Sequence, residues 1–316
     1  MYYPYLRAKQ YELKALREFS SECSPEAVSC ITPILEPVKR QTNALDAAVL
    51  ELMHNEMRFA LVLNPSDGDY KHSTVKFDYW KHSTNLMGNQ DKWIPAFLCS
   101  RSNLSSVASI IEAEGLHRVM LIFRTCLDAE NSETWEVINN SSVEYVVNAF
   151  GSTVSRRMKS RLNETEKKII RLDDCFNSKN RNADYAMEDD ELFSEEPFYY
   201  RSEEGFWGYS DYTVLPSVYV EGGMLPYALA IHLTYRKNED QLYIHHFVSD
   251  NNKTKSDVRG KFREAAIKVE PFFMNLTMTP SVVELIRRAD DSEGYPGLGY
   301  LKKLSVKNHL ELIASI

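Results

Sequence analysis

Residues 93–148 read WIPAFLCSRSNLSSVASIIEAEGLHRVMLIFRTCLDAENSETWEVINNSSVEYVVN. Three short apolar runs in this stretch alternate with two longer segments of helical spacing, which is typical of consecutive βα units. The runs are nearly continuous in Val, Ile, Leu and aromatic residues, as expected for parallel strands that are buried on both faces. The strands predicted here are Trp93–Leu98, Val119–Phe123 and Val143–Asn148.

The same alternation continues on both sides of this stretch and predicts eight strands. Four of the others are Tyr2–Leu6, Ile31–Val38, Phe59–Asn64 and Lys168–Leu172. The eighth lies either within Tyr209–Ser217 or in one arm of the alternating pair Ala228–Tyr235 and Gln241–Ser249. Eight strands with intervening helices predict a closed α/β fold, a (β/α)8 TIM-barrel-like architecture, with a doubly wound open sheet as the alternative.

Two insertions and a tail depart from the βα alternation. We expect a barrel over residues 1–250, with insertions at 65–90 and 177–208, and a helical C-terminal extension over 251–316 that packs on the barrel. The second insertion is rich in Asp and Glu and ends in a string of aromatic residues. An acidic run of this kind that ends in aromatics is predicted to dock on another surface.

Composition places the chain of 316 residues in the ordinary globular class, with a net charge of −8, 43% hydrophobic residues and 26% charged residues. The five cysteines are scattered and form no C-x-x-C pair, so free thiols are expected rather than disulfides or a zinc ribbon. No apolar run is long enough to span a membrane, and the N-terminus has no signal-peptide core, so we expect a cytoplasmic protein without membrane contact.

The sequence contains none of the strong catalytic or nucleotide-binding motifs. The phosphate-binding loop, the glycine-rich dinucleotide-binding motif and the zinc-protease, hydrolase and kinase signatures are all absent from it. The candidate site therefore follows from position, because active sites of barrels gather at the C-terminal ends of the strands. The residues predicted there as ligand-binding are Lys9, Glu12, Glu36, Lys39, Asn64, Arg124, Asp173 and Asp211.

Among these candidates, Glu36 and Asp173 are predicted to point inward, since each caps an apolar strand. With Lys9, Lys39 or Arg124 they would bind a phosphoryl or carboxylate group, or hold a divalent ion through oxygen ligands. A structural layer of ion pairs across the barrel mouth is the equally weighted alternative. No catalytic role, cofactor or metal is assigned from the sequence.

Two further groups of residues have alternative explanations. His245 and His246 are adjacent on one strand and point to opposite faces, whereas His232 would face one of them across the predicted pair as a weak candidate general base or as a structural histidine. Residues 153–171 have a local net charge of +5. That basic segment would bind nucleic acid, form a solvated helix face or, as we prefer, dock on the acidic segment 184–204 or on a partner.

The opening Tyr3–Leu16, YPYLRAKQYELKAL, followed by Ile31–Val38, ITPILEPV, resembles the beta protein family of uncharacterised bacterial and phage proteins. The segment Gly208–Tyr212 also corresponds. The resemblance implies a TIM-barrel-like fold and an antiphage or mobile-element setting, in which the gene often lies beside one for a nuclease-like protein. It implies no established reaction, and the positions that the family pattern singles out are Lys9, Glu12, Glu36 and Asp211.

Three functional hypotheses follow. The first is a barrel protein of an antiphage or mobile-element system that binds a phosphate-bearing ligand, a nucleotide or nucleic acid and acts with a nuclease-like partner encoded nearby. The second is a non-catalytic interaction scaffold whose working surfaces are the acidic-aromatic segment 184–207 and the basic helix before it. The third is a metal-dependent phosphodiesterase.

Overall fold

The structure is a computed structural model and describes residues 1–125, 127, 130–149, 156–221, 227–290 and 295–316. Cys126 and the first residues of the basic segment 153–171 lie outside the described residues.

The strands fall into two sheets. In chain order they are β1 Tyr5–Leu6, β2 Ile34–Leu35, β3 Phe59–Val62, β4 Trp93–Leu98, β5 Val119–Phe123, β6 Val143–Ala149, β7 Lys168–Asp173, β8 Asp190–Ser194, β9 Gly208–Asp211, β10 Ala230–Arg236 and β11 Leu242–Val248. Strands β1 to β7 and β9 form one sheet in that order, with every pair parallel. The first and last of these strands meet where the Tyr3 N–H donates to the Tyr209 carbonyl at 2.8 Å. This near closure confirms the predicted (β/α)8 barrel.

Helices cover the outside of the barrel and continue into the C-terminal part of the chain. They are α1 Gln10–Glu22, α2 Pro25–Ser29, α3 Asn43–His54, α4 Tyr79–His82, α5 Leu104–Ala113, α6 Ser132–Ile138, α7 Arg156–Asn163, α8 Glu196–Tyr199, α9 Val258–Ala266, α10 Val269–Phe273, α11 Pro280–Asp290 and α12 Leu298–Ala314. Local sequence sets their starts, as at α6, where the Asn131 side chain accepts a hydrogen bond from the Thr134 N–H. No helix in these ranges is long and apolar enough to cross a membrane.

The eighth barrel strand is β9, the first of the two positions that the sequence left open. The alternating pair forms β10 and β11 instead, and these join β8 in a separate antiparallel sheet. A pair joined by a four-residue turn is antiparallel by geometry, so neither arm fits a parallel barrel. In the C-terminal part of the chain, the short helices α9 and α10 follow one another and pack with α11 on this second sheet.

The last helix, α12, connects the barrel to the second sheet. Lys303 of α12 pairs with Glu18 of α1 at 2.6 Å, and Asn308 donates to the Thr234 carbonyl of β10 at 2.9 Å. Both lie in an almost fully buried helix, which explains why α12 lacks a clear apolar stripe in its sequence.

Side chains alternate between the barrel interior and the layer beneath the helices. Tyr3, Tyr5, Ile34 and Ile122 belong to one compact interior cluster, whereas residues between them, such as Leu35, belong to the outer core. The alternation fixes which residues beyond the strand ends continue into the mouth of the barrel, because successive side chains of a strand point to opposite faces.

Candidate anion site at the barrel mouth

Register brings Arg7, Glu36 and Arg124 together at the C-terminal mouth of the barrel. Tyr5 pairs with Ile34, and both point inward, so that Arg7 and Glu36, each two residues further along, continue the same inward rows. Arg124 follows the inward Ile122 of β5 in the same way. The sequence prediction that Glu36 points inward agrees with this placement.

Glu36 is fully buried, and both of its carboxylate oxygens have hydrogen-bond partners. Its Oε2 accepts hydrogen bonds from the Tyr5 hydroxyl at 2.7 Å and from Arg7 Nη1, and it lies 3.5 Å from Arg124 Nη1. Its Oε1 accepts from the Ser66 backbone N–H at 3.1 Å. A buried carboxylate is stable only when it is paired and hydrogen-bonded in this way.

Asp67 is the second carboxylate of the mouth. Its Oδ2 lies 2.9 Å from Arg124 Nη1 and 3.4 Å from Arg7 Nη1, so it bridges the two guanidinium groups. Arg124 Nη2 also donates to the Ser66 hydroxyl at 2.8 Å. Two arginines and two carboxylates thus form a neutral cluster within one hydrogen-bonded network.

Neighbouring charges decide the protonation of this cluster. Burial acts to lower the pKa of Arg7 and of Arg124, but Tyr5 and Glu36 more than offset it and raise both values. Burial and the adjacent Glu36 raise the pKa of the Tyr5 hydroxyl well above its usual value. Both guanidinium groups therefore keep their charge, and Tyr5 keeps its proton, over the whole physiological range.

Not all donors of the two arginines are used inside the cluster. The Arg7 side chain is more than nine-tenths buried, and its Nε has no hydrogen-bond partner in the described chain. Its guanidinium carbon lies 5.0 Å from the ring centre of Tyr5 and 5.5 Å from that of Tyr212. Arg124 is 30% exposed and faces the opening. The mouth therefore holds one spare guanidinium donor, Arg7 Nε, in a low-dielectric surrounding, where charge-assisted hydrogen bonds are strongest.

A strap of residues 214–221, which follows β9, lies across one side of the mouth. Three cations hold it: Arg7 donates to the Ser217 carbonyl, Lys9 Nζ donates to the Val220 carbonyl at 3.1 Å, and Lys39 pairs with Glu221. Lys9 and Lys39 line a neighbouring cleft of about 840 Å³ beneath this strap. Both predicted lysines therefore lie beside the arginine cluster but outside it.

Two other predicted site residues have structural partners close to the mouth. The Asn64 amide accepts from the Leu98 N–H and donates to the Leu98 carbonyl, both at 2.8 Å, so it continues the pairing of β3 with β4. Glu12 is buried on α1, where its carboxylate lies 3.2 Å from Lys302 Nζ. In the described part of the chain, no hydrogen bond or ion pair joins either side chain to Glu36 or the two arginines.

The structure separates Asp173 and Asp211 from the mouth. Asp173 accepts a hydrogen bond from Arg171 at 2.6 Å, and Arg171 also pairs with Glu196 of α8, whereas the inward residues of β7 are Ile170 and Leu172. The expectation that Asp173 points inward with Glu36 is therefore wrong. Asp173 follows the inward Leu172 directly, so its side chain points to the opposite face.

Asp211 is buried on the outer side of β9. It accepts from the Tyr2 hydroxyl at 2.5 Å and from the Thr213 N–H at 2.7 Å, and it lies 3.6 Å from His309 of α12. Its partners come from both chain ends and tie the barrel strands to α12. Burial and the charge of Asp211 raise the pKa of Tyr2, which keeps this tyrosine a hydrogen-bond donor.

Sequence reasoning did not select Asp67, Ser66 or Tyr5 for the mouth. Asp67 and Ser66 lie in the insertion after β3, beyond Asn64, the last residue of the predicted strand. The sequence does contain a signal for Tyr5. Tyr3, Tyr5 and Arg7 are alternate residues, so their side chains lie on the same, inner face of the barrel.

The basic segment docks on the acidic segment of the same chain. Lys159 of α7 pairs with Glu204 and lies 5.0 Å from the ring centre of Phe206. Arg171 pairs with Glu196, as described above. These contacts agree with the preferred intramolecular docking of the two oppositely charged segments.

Within the described ranges, no three His, Cys, Asp or Glu side chains gather in a group that could hold a metal ion. The chain is a (β/α)8 barrel whose mouth is built from two arginines, two carboxylates and the Tyr5 hydroxyl. No family model, no curated protein and no solved structure matches it.

Proposed function

We propose that the protein binds a phosphate-bearing ligand at the barrel mouth through Arg7 and Arg124. The carrying observation is the buried Arg7 guanidinium, whose Nε has no partner in the described chain, beside the part-exposed Arg124. Paired guanidinium groups match the oxygens of a phosphoryl group in geometry and charge. Glu36 and Tyr5 hold Arg7 in position, so the site would need little rearrangement on binding.

The ligand would displace weaker partners rather than the buried carboxylate. Asp67 is 3.4 Å from Arg7 and lies in a loop, and the Ser217 carbonyl belongs to the strap. A phosphoryl oxygen entering at these positions would gain both guanidinium groups while Glu36 keeps its own hydrogen bonds. Lys9 and Lys39, freed from the strap, would add positive charge for a nucleotide or a nucleic-acid backbone.

We further propose that this binding serves a cytoplasmic antiphage or mobile-element system, in which the protein acts with a nuclease-like partner. This setting depends on the resemblance of residues 3–16 and 31–38 to the beta protein family. It is tested by purifying the protein from its host together with its neighbouring gene products. A co-purifying nuclease-like protein supports the setting, and full protection against phage after deletion of the gene would refute it.

Calorimetric titration tests the mouth itself, with inorganic phosphate, adenosine monophosphate and a 12-nucleotide single strand as probes. Arg124→Gln removes a charge-assisted contact and should weaken binding about 10- to 100-fold. The matched control is Arg118→Gln, because Arg118 pairs with Glu144 near the other end of the same strand, β5. Equal affinities of the wild type and Arg124→Gln, or no binding of any probe, would exclude the mouth as a phosphate site.

An interaction scaffold is the second candidate, favoured by three exposed apolar side chains on the acidic-aromatic segment, Met187, Leu192 and Trp207. Deleting residues 184–200 would remove β8 from its sheet, so point variants are the cleaner test. Met187→Lys with Leu192→Lys should abolish partner capture and leave phosphate binding unchanged. If the double variant still captures the partner, this surface is not the interaction site.

A further inference from the structure

A second cleft, of about 940 Å³, lies between the barrel and the second sheet. Phe176 and Tyr185 line it on one side, the strap contributes Val218 and Val220, and His232 of β10 belongs to its wall. The volume and the mixture of apolar, aromatic and a few polar groups are typical of small-molecule sites. None of these residues belongs to the arginine cluster of the mouth.

A chain of three side chains leads to this cleft. The Glu191 carboxylate lies 3.0 Å from His246 Nε2, and His246 Nδ1 lies 2.7 Å from His232 Nδ1. Asn177 donates to the other oxygen of Glu191 at 3.0 Å, and Lys179 Nζ lies 4.0 Å from that oxygen, so both oxygens of this carboxylate have partners. Burial and His246 lower the pKa of His232 to about 3, and burial lowers that of His246, so both rings are neutral at neutral pH.

The carboxylate fixes the proton positions along this chain. Glu191 can only accept, so His246 carries its proton on Nε2 and its Nδ1 is an acceptor. The short contact between the two Nδ1 atoms then requires the proton to be on His232. A neutral ring carries one proton, so His232 Nε2 keeps a free lone pair, and it has no hydrogen-bond partner in the described chain.

We propose that this cleft is a second small-molecule site, which takes an aromatic ligand that donates an O–H or N–H hydrogen bond to His232 Nε2. The rings of Phe176 and Tyr185 lie 5.2 Å and 4.7 Å from that of His232 and give a flat ligand an aromatic wall. The strap residues Val218 and Val220 and the helix residue Leu298 are exposed apolar side chains that line the same cleft. A bound ring would cover them, which supplies the apolar part of the binding free energy.

The chemistry selects donors over acceptors. A lone pair on Nε2 repels a carbonyl or ether oxygen, and a ligand with the same ring but no donor leaves Nε2 buried and unpaired. The selection depends on Glu191, because a carboxamide at this position can donate as well as accept. Glu191→Gln therefore permits the reversed chain, in which His246 donates from Nδ1 and His232 carries its proton on Nε2.

The first test reads the tautomers directly, from long-range ¹H–¹⁵N spectra of the full chain labelled with ¹⁵N-histidine at pH 7. We expect His232 protonated on Nδ1 and His246 protonated on Nε2, with each signal assigned by its own Gln variant. Glu191→Gln should convert His232 partly or wholly to the Nε2-protonated form. Wild-type His232 with its proton on Nε2 would overturn the proposal.

The second test compares 2-naphthol with its methyl ether, 2-methoxynaphthalene, which has the same ring system but no donor. The wild type should bind 2-naphthol about two- to tenfold more tightly, the range expected of one hydrogen bond, and the His232 signals should shift. Glu191→Gln should narrow or reverse this preference, while the control His82→Gln, at an exposed histidine, should leave it unchanged. Equal binding of the two probes by the wild type, or no binding of either, would refute the proposal.

Discussion

At the scale of single residues, Glu36 shows how a buried carboxylate organises the mouth. Its two oxygens accept from Tyr5, Arg7 and the Ser66 N–H, so its removal affects three elements at once. Glu36→Gln keeps the shape but leaves a neutral group beside two guanidinium charges, the buried Arg7 and the part-exposed Arg124. We expect a loss of about 3 kcal/mol in the free energy of unfolding, measured by urea denaturation, because breaking a buried pair leaves its partner uncompensated.

Glu144 provides the matched control for this prediction. It pairs with Arg118 and Lys168, but all three side chains are about a third exposed, so solvent screens their interaction. Glu144→Gln should cost less than about 1 kcal/mol. Similar losses for the two variants would mean that the mouth cluster contributes no more than a surface ion pair.

His232 makes stability depend on pH. Its pKa is about 3 in the folded protein because of burial and the neighbouring His246, against about 6.5 for an unfolded chain. Between these two pH values the unfolded state binds the extra proton, so stability is lost as the pH falls below about 6.5. We expect the stability difference between the wild type and His232→Gln to shrink by about 1–2 kcal/mol from pH 7 to pH 5. A difference that is constant with pH would contradict the neutral pair.

Residues also mark the limit of what the sequence predicts for the site. The sequence placed Glu36 and Arg124 at the mouth because each follows an apolar strand, and both lie there. Asp173 satisfied the same criterion but points outward, because it directly follows Leu172, whose side chain points into the barrel, and successive side chains of a strand alternate between faces. The partner of both arginines, Asp67, comes from an insertion whose path depends on tertiary contacts such as the Gly68 approach to Val38.

At the scale of elements, β9 decides whether the barrel closes. Gly208, at its start, allows the chain to approach β1 so closely that an added Cβ would lie 2.5 Å from the Tyr3 ring and 2.8 Å from the Met1 carbonyl oxygen. Gly208→Ala should therefore destabilise the protein by about 1–3 kcal/mol, measured by thermal or urea unfolding.

A double-mutant cycle separates this closure from a general effect of the substitution. Tyr3→Val removes the ring that the new methyl group would strike, so the two changes together should cost less than the sum of their separate costs. Strictly additive costs would mean that the close approach of β9 to Tyr3 does not limit the barrel.

Elements were predicted best where the apolar runs were long. The strands β4, β5 and β6 begin at the predicted residues, whereas β1 and β2 are only two residues long, because Tyr2 and Ile31 form only an isolated bridge at their starts. The choice between β9 and the later pair required pairing partners that periodicity alone does not specify. Two strands of the second sheet, β10 and β11, correspond to the predicted alternating pair, whereas β8 escaped prediction because it lies in an acidic insertion with little strand propensity.

At the scale of the whole molecule, one hydrogen-bonded chain joins the two sheets. Thr234 of β10 lies 3.0 Å from His309 Nδ1, and His309 Nε2 lies 3.0 Å from the Tyr2 hydroxyl, which donates to Asp211 at the end of the last barrel strand, β9. All four side chains are buried. If one sheet unfolded alone, it would leave buried polar groups of this network without partners, which is costly in free energy. We therefore expect the two sheets to unfold together.

Native-state hydrogen exchange in increasing urea measures this coupling. We expect the amides of β5 and β10 to open with the same free energy and urea dependence in the wild type, and β10 to open first, by about 2 kcal/mol, in His309→Leu. The control His117→Leu, at an exposed histidine, should leave the two openings coincident. Separate openings in the wild type would mean that each sheet is stable alone. If the two sheets do open together, they form one cooperative unit, and a ligand stabilises the whole unit to which it binds. In that case 2-naphthol bound in the cleft should also slow hydrogen exchange of the barrel amides.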